Sequence, residues 1–153
     1  VRLGLQHAAL ADAVRGVGGA SWLIEEMVSG GVAELLIGVM RDEAHGFVLS
    51  LAAGGVMTEI LQDRTSLLMP VTVDQVHDAL RGLRCWPLLQ GYRGRPAADV
   101  EAVVAAVMAL QDAVIALMDR ISEAEVNPLI CTETAAVAAD ALIVLAPENN
   151  AQE

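Results

Sequence analysis

Residues 22–61 read WLIEEMVSGGVAELLIGVMRDEAHGFVLSLAAGGVMTEIL, and this stretch contains four short apolar runs. Glycines or polar residues separate the runs, which are Trp22–Val28, Ala33–Arg41, Gly46–Ala53 and Val56–Leu61. Runs of this length between glycine-containing turns are typical of β-strands, and Ser29-Gly30-Gly31 predicts a hairpin between the first two. Four strands joined by such short turns predict an antiparallel sheet.

Helical patterns lie on both sides of these strands. Residues Gln6–Val17 have apolar positions at helical spacing, and a Gly-Gly pair follows them. Thr72 with Gln75 forms a capping-box pattern that predicts a second helix. Asp99 precedes the longest predicted helix, whose apolar stripe should face the sheet; it consists of Val100, Val103, Val107, Leu110, Val114 and Leu117.

The C-terminal part adds two predicted strands, Ala124–Ile130 and Val137–Leu145, and then a polar tail over residues 147–153. This order of elements predicts one α+β domain over residues 1–146, with a largely antiparallel sheet and helices packed on one face. The chain begins with Val1 and lacks a signal-peptide pattern. We therefore expect a fragment of a larger, cytoplasmic protein.

The composition excludes several classes of function. Nine Lys+Arg stand against 20 Asp+Glu, for a formal net charge of -11, which argues against a nucleic-acid partner. All of the basic residues are arginine, so a Walker-type phosphate loop, a Schiff base and a lysine general base are excluded. The apolar stretch 102–118 is interrupted by polar residues and is shorter than the roughly 20 residues of a membrane span, so no membrane partner is expected. Cys85 and Cys131 lack the spacing of a disulfide framework or a zinc site.

A set of oxygen-bearing side chains lies near the C-terminus. Glu125 and Asn127 are separated by one residue and should share one face of a strand, and Asp140 lies on the next predicted strand. Two carboxylates and an amide suit a hard cation such as Mg²⁺. The alternative is that Asn127-Pro128 forms a turn and that the acids are solvated.

The Glu-x-Asn-Pro motif and the blocks before it resemble a known family. The blocks occur in the order seen in the ATP-grasp unit of the NDP-forming acyl-CoA synthetases, which are related to succinyl-CoA synthetase β subunits. They are Trp22–Gly38, Arg41-Asp42, Gly54-Gly55-Val56-x-x-Glu59, Pro87-Leu88-Leu89, Gly91-Tyr92-Arg93-Gly94 and Glu125-x-Asn127-Pro128-Leu129. Their joint order implies that this chain is similar to the second of the two ATP-grasp subdomains.

The resemblance implies roles for individual residues. The backbone of Glu25, Glu26, Met27 and Val28 would meet the adenine edge, although the two acids also fit a solvated strand face. Glu34 would accept the ribose hydroxyls. The resemblance implies that Asn127 and Asp140 bind magnesium, with Glu125 as a third candidate, and it implies ATP/ADP and Mg as cofactors.

Three further positions need comment. Arg93, within Gly91-Tyr92-Arg93-Gly94, would donate to a phosphate or a carboxylate as a catalytic residue, and a surface salt bridge explains it equally well. His45 and Ala52 depart from the family pattern, which argues against a phosphate-cradling loop at 52–55. The helical His77 is expected to be solvated rather than catalytic.

The implied reaction is carboxylic acid + CoA + ATP to acyl-CoA + ADP + phosphate. The remaining domains of the parent enzyme, including the first ATP-grasp subdomain and a CoA-binding domain, would be partners, and a homo-oligomer is possible. The isolated chain is expected to be inactive, since the family's phosphate-binding lysine and phosphohistidine lie outside it. The alternative is a non-catalytic nucleotide-binding or structural module that retains the fold.

Overall fold

The computed structural model of the chain describes residues 23–55 and 62–147, together with Ala9, Asp12, Arg15 and Ser21. The described residues form a six-stranded, fully antiparallel sheet with helices on one face. The α+β fold predicted from the sequence is confirmed. No helix among these residues is long and apolar enough to cross a membrane.

The strands pair mostly with their neighbours in sequence. The order across the sheet is β3-β2-β1-β4, and β5 and β6 both pair with the free edge of β4. The strand bounds are β1 Ala33–Asp42, β2 Gly46–Ala53, β3 Arg64–Leu68, β4 Ile121–Cys131, β5 Ala136–Ala138 and β6 Ala141–Leu145.

Three helices are described: α1 at Val73–Gly82, the single turn α2 at Trp86–Leu89, and α3 at Val100–Ala116. The predicted capping box is present, because the Thr72 hydroxyl accepts from the Gln75 amide and the Gln75 side chain accepts from the Thr72 amide. Asp99 caps α3 by accepting from the amide of Ala102 at 2.9 Å. Local side-chain chemistry therefore fixes where both long helices begin.

The core lies between the helices and one face of the sheet, which we call the helix face. Each of β1 and β2 turns alternate residues inward, and α1 and α3 cover them. The largest fully buried side chains are Leu35, Ile37, Val39, Leu49, Leu51, Val76, Leu80, Leu89, Val103, Val107, Val114 and Leu129. The predicted stripe of α3 is buried at its centre, whereas Leu117 at its C-terminal end is 41% exposed.

Two buried polar side chains connect the layers. The Gln111 amide on α3 accepts from the Val71 amide at 2.6 Å and donates to the Val71 carbonyl at 3.1 Å. The Asp63 carboxylate accepts from the amides of Arg84 and Cys85 at 2.7 and 2.8 Å. Both side chains are satisfied, so their burial does not carry the cost of an unpaired polar group.

The prediction of a strand at Trp22–Val28 was wrong. Residues 23–30 have no regular secondary structure, and Leu23 and Ile24 are 83% and 61% exposed. The first hairpin turn is instead at residues 43–45, between β1 and β2. The apolar run was misleading because a strand needs a paired neighbour, which is a tertiary property.

The prediction of a single strand over Val137–Leu145 was also wrong. This segment forms β5 and β6, which are interrupted at residues 139–140, opposite Asn127 and Pro128 of β4. Pro128 has no amide hydrogen to donate, so the regular ladder stops there. The strand β3 and the one-turn helix α2 were not predicted.

Two predicted elements lie wholly or mostly outside the residues that the structure describes. The run Val56–Leu61 lies outside the described residues. Most of the predicted helix Gln6–Val17 also lies outside them, although Ala9, Asp12 and Arg15 are helical.

Gly54 is required by a close approach of two strands. A Cβ at this position would lie 2.5 Å from the Leu35 carbonyl carbon, and the Gly54 amide donates to the Glu34 carbonyl at 2.8 Å.

Gly54→Ala should therefore lower the free energy of unfolding by about 1–3 kcal/mol, because backbone atoms must move. Gly82→Ala, where a Cβ would meet nothing within 4 Å, is the matched control and should leave stability unchanged or raised by up to about 1 kcal/mol. Urea unfolding of both variants checks this, and equal effects would contradict it.

Candidate functional site

The face of the sheet opposite the helices, which we call the open face, carries a shallow groove of about 220 Å³. Its floor comes from the outward residues of β1 and β2, and side chains of β3 and β4 form its walls. Residues on the open face that line it are Leu36, Gly38, Met40, Ser50, Ala52, Arg64, Glu123 and Glu125. Gly38 forms part of the floor beside Glu125, and a Cβ there would make ordinary van der Waals contact with the Glu125 side chain at 3.7 Å.

A smaller pocket of about 50 Å³ adjoins the groove, and Glu125 lines both. Glu125, Asn127 and Asp140 line it together with residues 141 and 142, so the structure brings the three predicted metal-binding residues together. The register explains this, because Glu125 pairs with Leu142 and the Asn127 amide donates to the Asp140 carbonyl at 3.1 Å. Paired residues of antiparallel strands project from the same face.

β4 contains a bulge at Asn127. Between the pairs Leu35↔Leu129 and Ile37↔Val126, β4 has one more residue than β1. Such a bulge changes which side chains point outward. The Asn127–Pro128 peptide bond within it is cis.

The side chains of the pocket suit a hard divalent cation. Two carboxylates and an amide offer only oxygen donors, which Mg²⁺ prefers, and the volume leaves room for water in the remaining positions. One Asp140 oxygen accepts from the Ala141 amide at 2.8 Å, which fixes the carboxylate and leaves its other oxygen for a ligand. Within residues 23–55 and 62–147 there is no group of three or more His, Cys, Asp and Glu that could hold a metal. In this pocket, the third protein oxygen comes from the Asn127 amide.

Glu34 projects from the N-terminal end of β1 and is exposed. Its carboxylate lies against the turn at Gly54 and Gly55, since a Cβ at Gly55 would lie 2.1 Å from Oε2. Gly55 also has a positive φ of 72°, a conformation that favours glycine. The turn therefore holds the Glu34 carboxylate at one end of the open face.

The segment Glu25, Glu26, Met27 and Val28 leads into β1. Both acids are exposed, Met27 is 50% exposed, and Val28 is half-buried. Within the part of the chain that the structure describes, the backbone of these four residues makes no hydrogen bond.

Arg93 lines neither the groove nor the pocket. It has a positive φ of 51°, flanked by the positive-φ Gly91 and Gly94, and its guanidinium lies 5.4 Å from the Tyr92 ring centroid. Arg95 of the same loop donates to the Gly31 carbonyl at 3.1 Å. This loop therefore contacts the segment before β1, and the catalytic role of Arg93 stays a prediction.

The sequence reasoning missed the two other charged residues of the groove. Glu123 shares the open face with Glu125 at i and i+2, a spacing that could have identified it. Arg64 belongs to β3, whose sequence RTSLL has no clear strand pattern, and only its pairing with β2 places it at the groove.

The histidines near these strands are not part of the site. His45 Nδ1 bonds to Asp42 Oδ1 at 2.8 Å in the β1–β2 turn, and this hydrogen bond lowers the pKa of Asp42. The prediction that His77 is a solvated helix position was wrong. Its side chain is 15% exposed and its Nε2 lies 3.3 Å from Glu101 Oε1, because α1 packs against α3 there.

The two thiols are not suited to nucleophilic chemistry. Cys85 and Cys131 are both buried and unpaired. Burial raises each pKa to about 12, with a smaller contribution from Asp63 to Cys85 and from Glu34 to Cys131. A thiolate, which is the reactive form, is therefore scarce near neutral pH.

The described residues form an antiparallel sheet that is covered by helices on one face and carries the pocket on the other. Comparison with known proteins shows the family to which this fold belongs. The family model described as ATP-grasp domain matches residues 7–145, and the chain belongs to this family. Within the family, the chain matches the ATP-grasp region of ADP-forming acyl-CoA synthetases.

Three relatives show this similarity. The chain is 34% identical over 125 residues to the acetate–CoA ligase [ADP-forming] II subunit beta of Pyrococcus furiosus, covering 80% of this chain and 52% of the relative. It is 37% identical over 112 residues to the acetate–CoA ligase [ADP-forming] II of Archaeoglobus fulgidus, covering 73% and 16%. A solved acetyl-coenzyme A synthetase 1 of Ca. Korarchaeum cryptofilum, in complex with coenzyme A and Mg-AMPPCP, superposes with a TM-score of 0.72 at 27% identity, covering 78% and 55%.

The chain thus spans about half the length of the P. furiosus subunit and less than a fifth of the A. fulgidus enzyme.

Proposed function

We propose that the open face binds magnesium-ATP and that the chain is the second ATP-grasp subdomain, over residues 1–146, of an ADP-forming acyl-CoA synthetase. The observation that carries the proposal is that the groove and the oxygen-lined pocket meet at Glu125. A nucleotide lying along the groove would bring its phosphates to the pocket. The Mg-AMPPCP complex of the K. cryptofilum enzyme supports this choice of ligand.

The residues of the pocket would hold the cation. Glu125, Asn127 and Asp140 offer three oxygen ligands, and water and phosphate oxygens would complete an octahedral shell. When bound, the cation would neutralise charge on the phosphates. Without it, Glu123 and Glu125 in the groove would repel a triphosphate, so nucleotide binding should depend on the metal.

The nucleoside would lie at the N-terminal end of β1, beside Glu34 and two residues along the strand from Leu36. The Glu34 carboxylate, held by the turn at Gly54 and Gly55, can accept hydrogen bonds from two ribose hydroxyls. The unpaired backbone of residues 25–28 can donate to and accept from the edge of a purine. Residues 25–28 do not form the strand predicted from the sequence, and within the described chain their backbone is unpaired. A strand in the sheet would have used some of these amide and carbonyl groups in pairing, so the observed conformation supports the role.

The whole reaction would be carboxylic acid + CoA + ATP to acyl-CoA + ADP + phosphate. This chain has no lysine, so we infer that the first ATP-grasp subdomain and a CoA-binding domain supply the remaining groups. These domains, a possible second copy of the chain and a cytoplasmic location are parts of the same proposal. Turnover should require the full enzyme, whereas nucleotide binding can be tested on this chain.

The magnesium-dependent part of ATP affinity should be lost in Asn127→Ala, which removes an oxygen ligand, and in Asp140→Asn, which removes the negative charge and one oxygen of a carboxylate ligand. In Asp140→Asn the side-chain oxygen can still accept from the Ala141 amide, so the local backbone should persist. Isothermal titration calorimetry with ATP, in excess Mg²⁺ and in EDTA, measures the effect.

Asp112→Asn is the matched control for that experiment. Asp112 is exposed on α3, on the other side of the sheet, and its substitution makes the same change of charge. The proposal is wrong if both pocket variants retain the Mg²⁺-dependent affinity, or if the control loses it equally.

Glu34→Gln should weaken ATP binding by about tenfold to a hundredfold, because hydrogen bonds to a charged group contribute roughly 1.5–3 kcal/mol. Binding of adenosine should weaken by a similar factor, since the contact is to the ribose. Binding of inorganic tripolyphosphate with Mg²⁺ should be unchanged. Titrating the three ligands measures the effect, and a loss confined to tripolyphosphate would instead place Glu34 near the phosphates.

A further inference from the structure

Arg64 is the positively charged side chain that lines the groove. It begins β3 and pairs with Ala52, which in turn pairs with Leu36, so Arg64 and Leu36 lie in one row across the open face. Continued onto β4, this row reaches the bulge at Asn127 and Pro128. Arg64 and the oxygen-lined pocket therefore face each other across the groove.

The guanidinium of Arg64 is uncommitted within the described part of the chain. No hydrogen bond or ion pair of its side chain is present there, even though Glu123 and Glu125 line the same groove. Arg41 donates to the Met118 carbonyl, Arg81 to Asp78, and Arg95 to the Gly31 carbonyl. Among the described residues, the side chains of Arg84 and Arg120 also form no hydrogen bond or ion pair, but neither residue lines the groove as Arg64 does. A free fork of donors on a concave surface is suited to an anion.

The groove extends across the sheet from β3 to β4. Neighbouring strands lie about 4.8 Å apart, so three spacings place β3 about 14 Å from β4. The Arg64 side chain enters the groove from β3, and a cation held by Asn127 and Asp140 would lie on the opposite side, beside β4.

We propose that Arg64 is the phosphate-binding residue of this groove and contacts the phosphoryl group of ATP that lies furthest from the ribose. This inference rests on the proposed function. The guanidinium donates to oxygens of that phosphoryl group, while the group's other oxygens face the cation pocket. In a chain with a net charge of -11, the positive charge of the Arg64 guanidinium also offsets the negative charge of the two carboxylates in the groove.

The test measures affinities of the full chain for ATP and for inorganic tripolyphosphate, each with excess Mg²⁺, by calorimetry. Arg64→Gln should weaken both by about tenfold to a hundredfold, the range expected for hydrogen bonds to a charged group. Arg64→Lys keeps the charge but loses the two-pronged donor group of the guanidinium. Its affinities should lie between those of the unmodified chain and those of Arg64→Gln. Arg84→Gln is the control, because exposed Arg84 follows α1 on the helix face and the same charge is removed.

The outcomes separate this inference from the proposed function. If the unmodified chain binds ATP and Arg64→Gln binds it equally well, the role of Arg64 is overturned and nucleotide binding stands. Equal losses in Arg64→Gln and Arg84→Gln also overturn it, since they would reflect net charge alone. If tripolyphosphate binding depends on Arg64 but ATP binds no better than tripolyphosphate, the anion site stands and nucleotide recognition fails. A chain that binds neither probe overturns both.

Discussion

Burial of only one face of the sheet is the constraint on which the rest of the structure depends. The helices α1 and α3 cover the helix face, and β1, β2 and β4 turn apolar residues inward against them. The remaining residues of each strand then project from the open face as a set. Leu35, Ile37 and Val39 are each 1% exposed, whereas Glu34 and Met40 on the same strand are exposed. The same alternation that forms the core therefore places the polar side chains of the site together.

The bulge in β4 modifies this alternation where the site needs it. Ala124 faces the core before the bulge, and Leu129 and Cys131 face it afterwards, although an unbroken strand would turn residues 124 and 129 to opposite faces. The extra residue allows both parts of β4 to contribute to the core. It also leaves Asn127 outward beside Asp140, where the facing ladder is interrupted. One local irregularity thus supports both the packing and the pocket.

Local signals in the sequence predicted the parts of the fold that depend on local chemistry. The caps at Thr72 and Asp99 gave the starts of α1 and α3, and the apolar runs gave β1, β2 and most of β4. The i, i+2 spacing of Glu125 and Asn127 correctly predicted that they share a face.

Tertiary pairing determined what the sequence could not predict. An apolar run before β1 was assigned to a strand but has no pairing partner in the described chain, while the polar segment at Arg64 became β3 by pairing with β2. Arg64 was therefore missed, and Arg93 was chosen from its glycine-rich surroundings.

The central claim is that the cation and the nucleotide bind on the open face at the oxygen-lined pocket. Paramagnetic broadening of backbone amide resonances by Mn²⁺, substituted for Mg²⁺ in the presence of ATP, tests it most directly. The account predicts the strongest broadening at residues 125–127 and 140–142, weaker broadening at 36–38, and sharp resonances for Val107 and Gln111 on the far side of the sheet. Unbroadened resonances at 125–127 and 140–142, with broadening centred on the Asp42–His45 turn or on the helices, would contradict it.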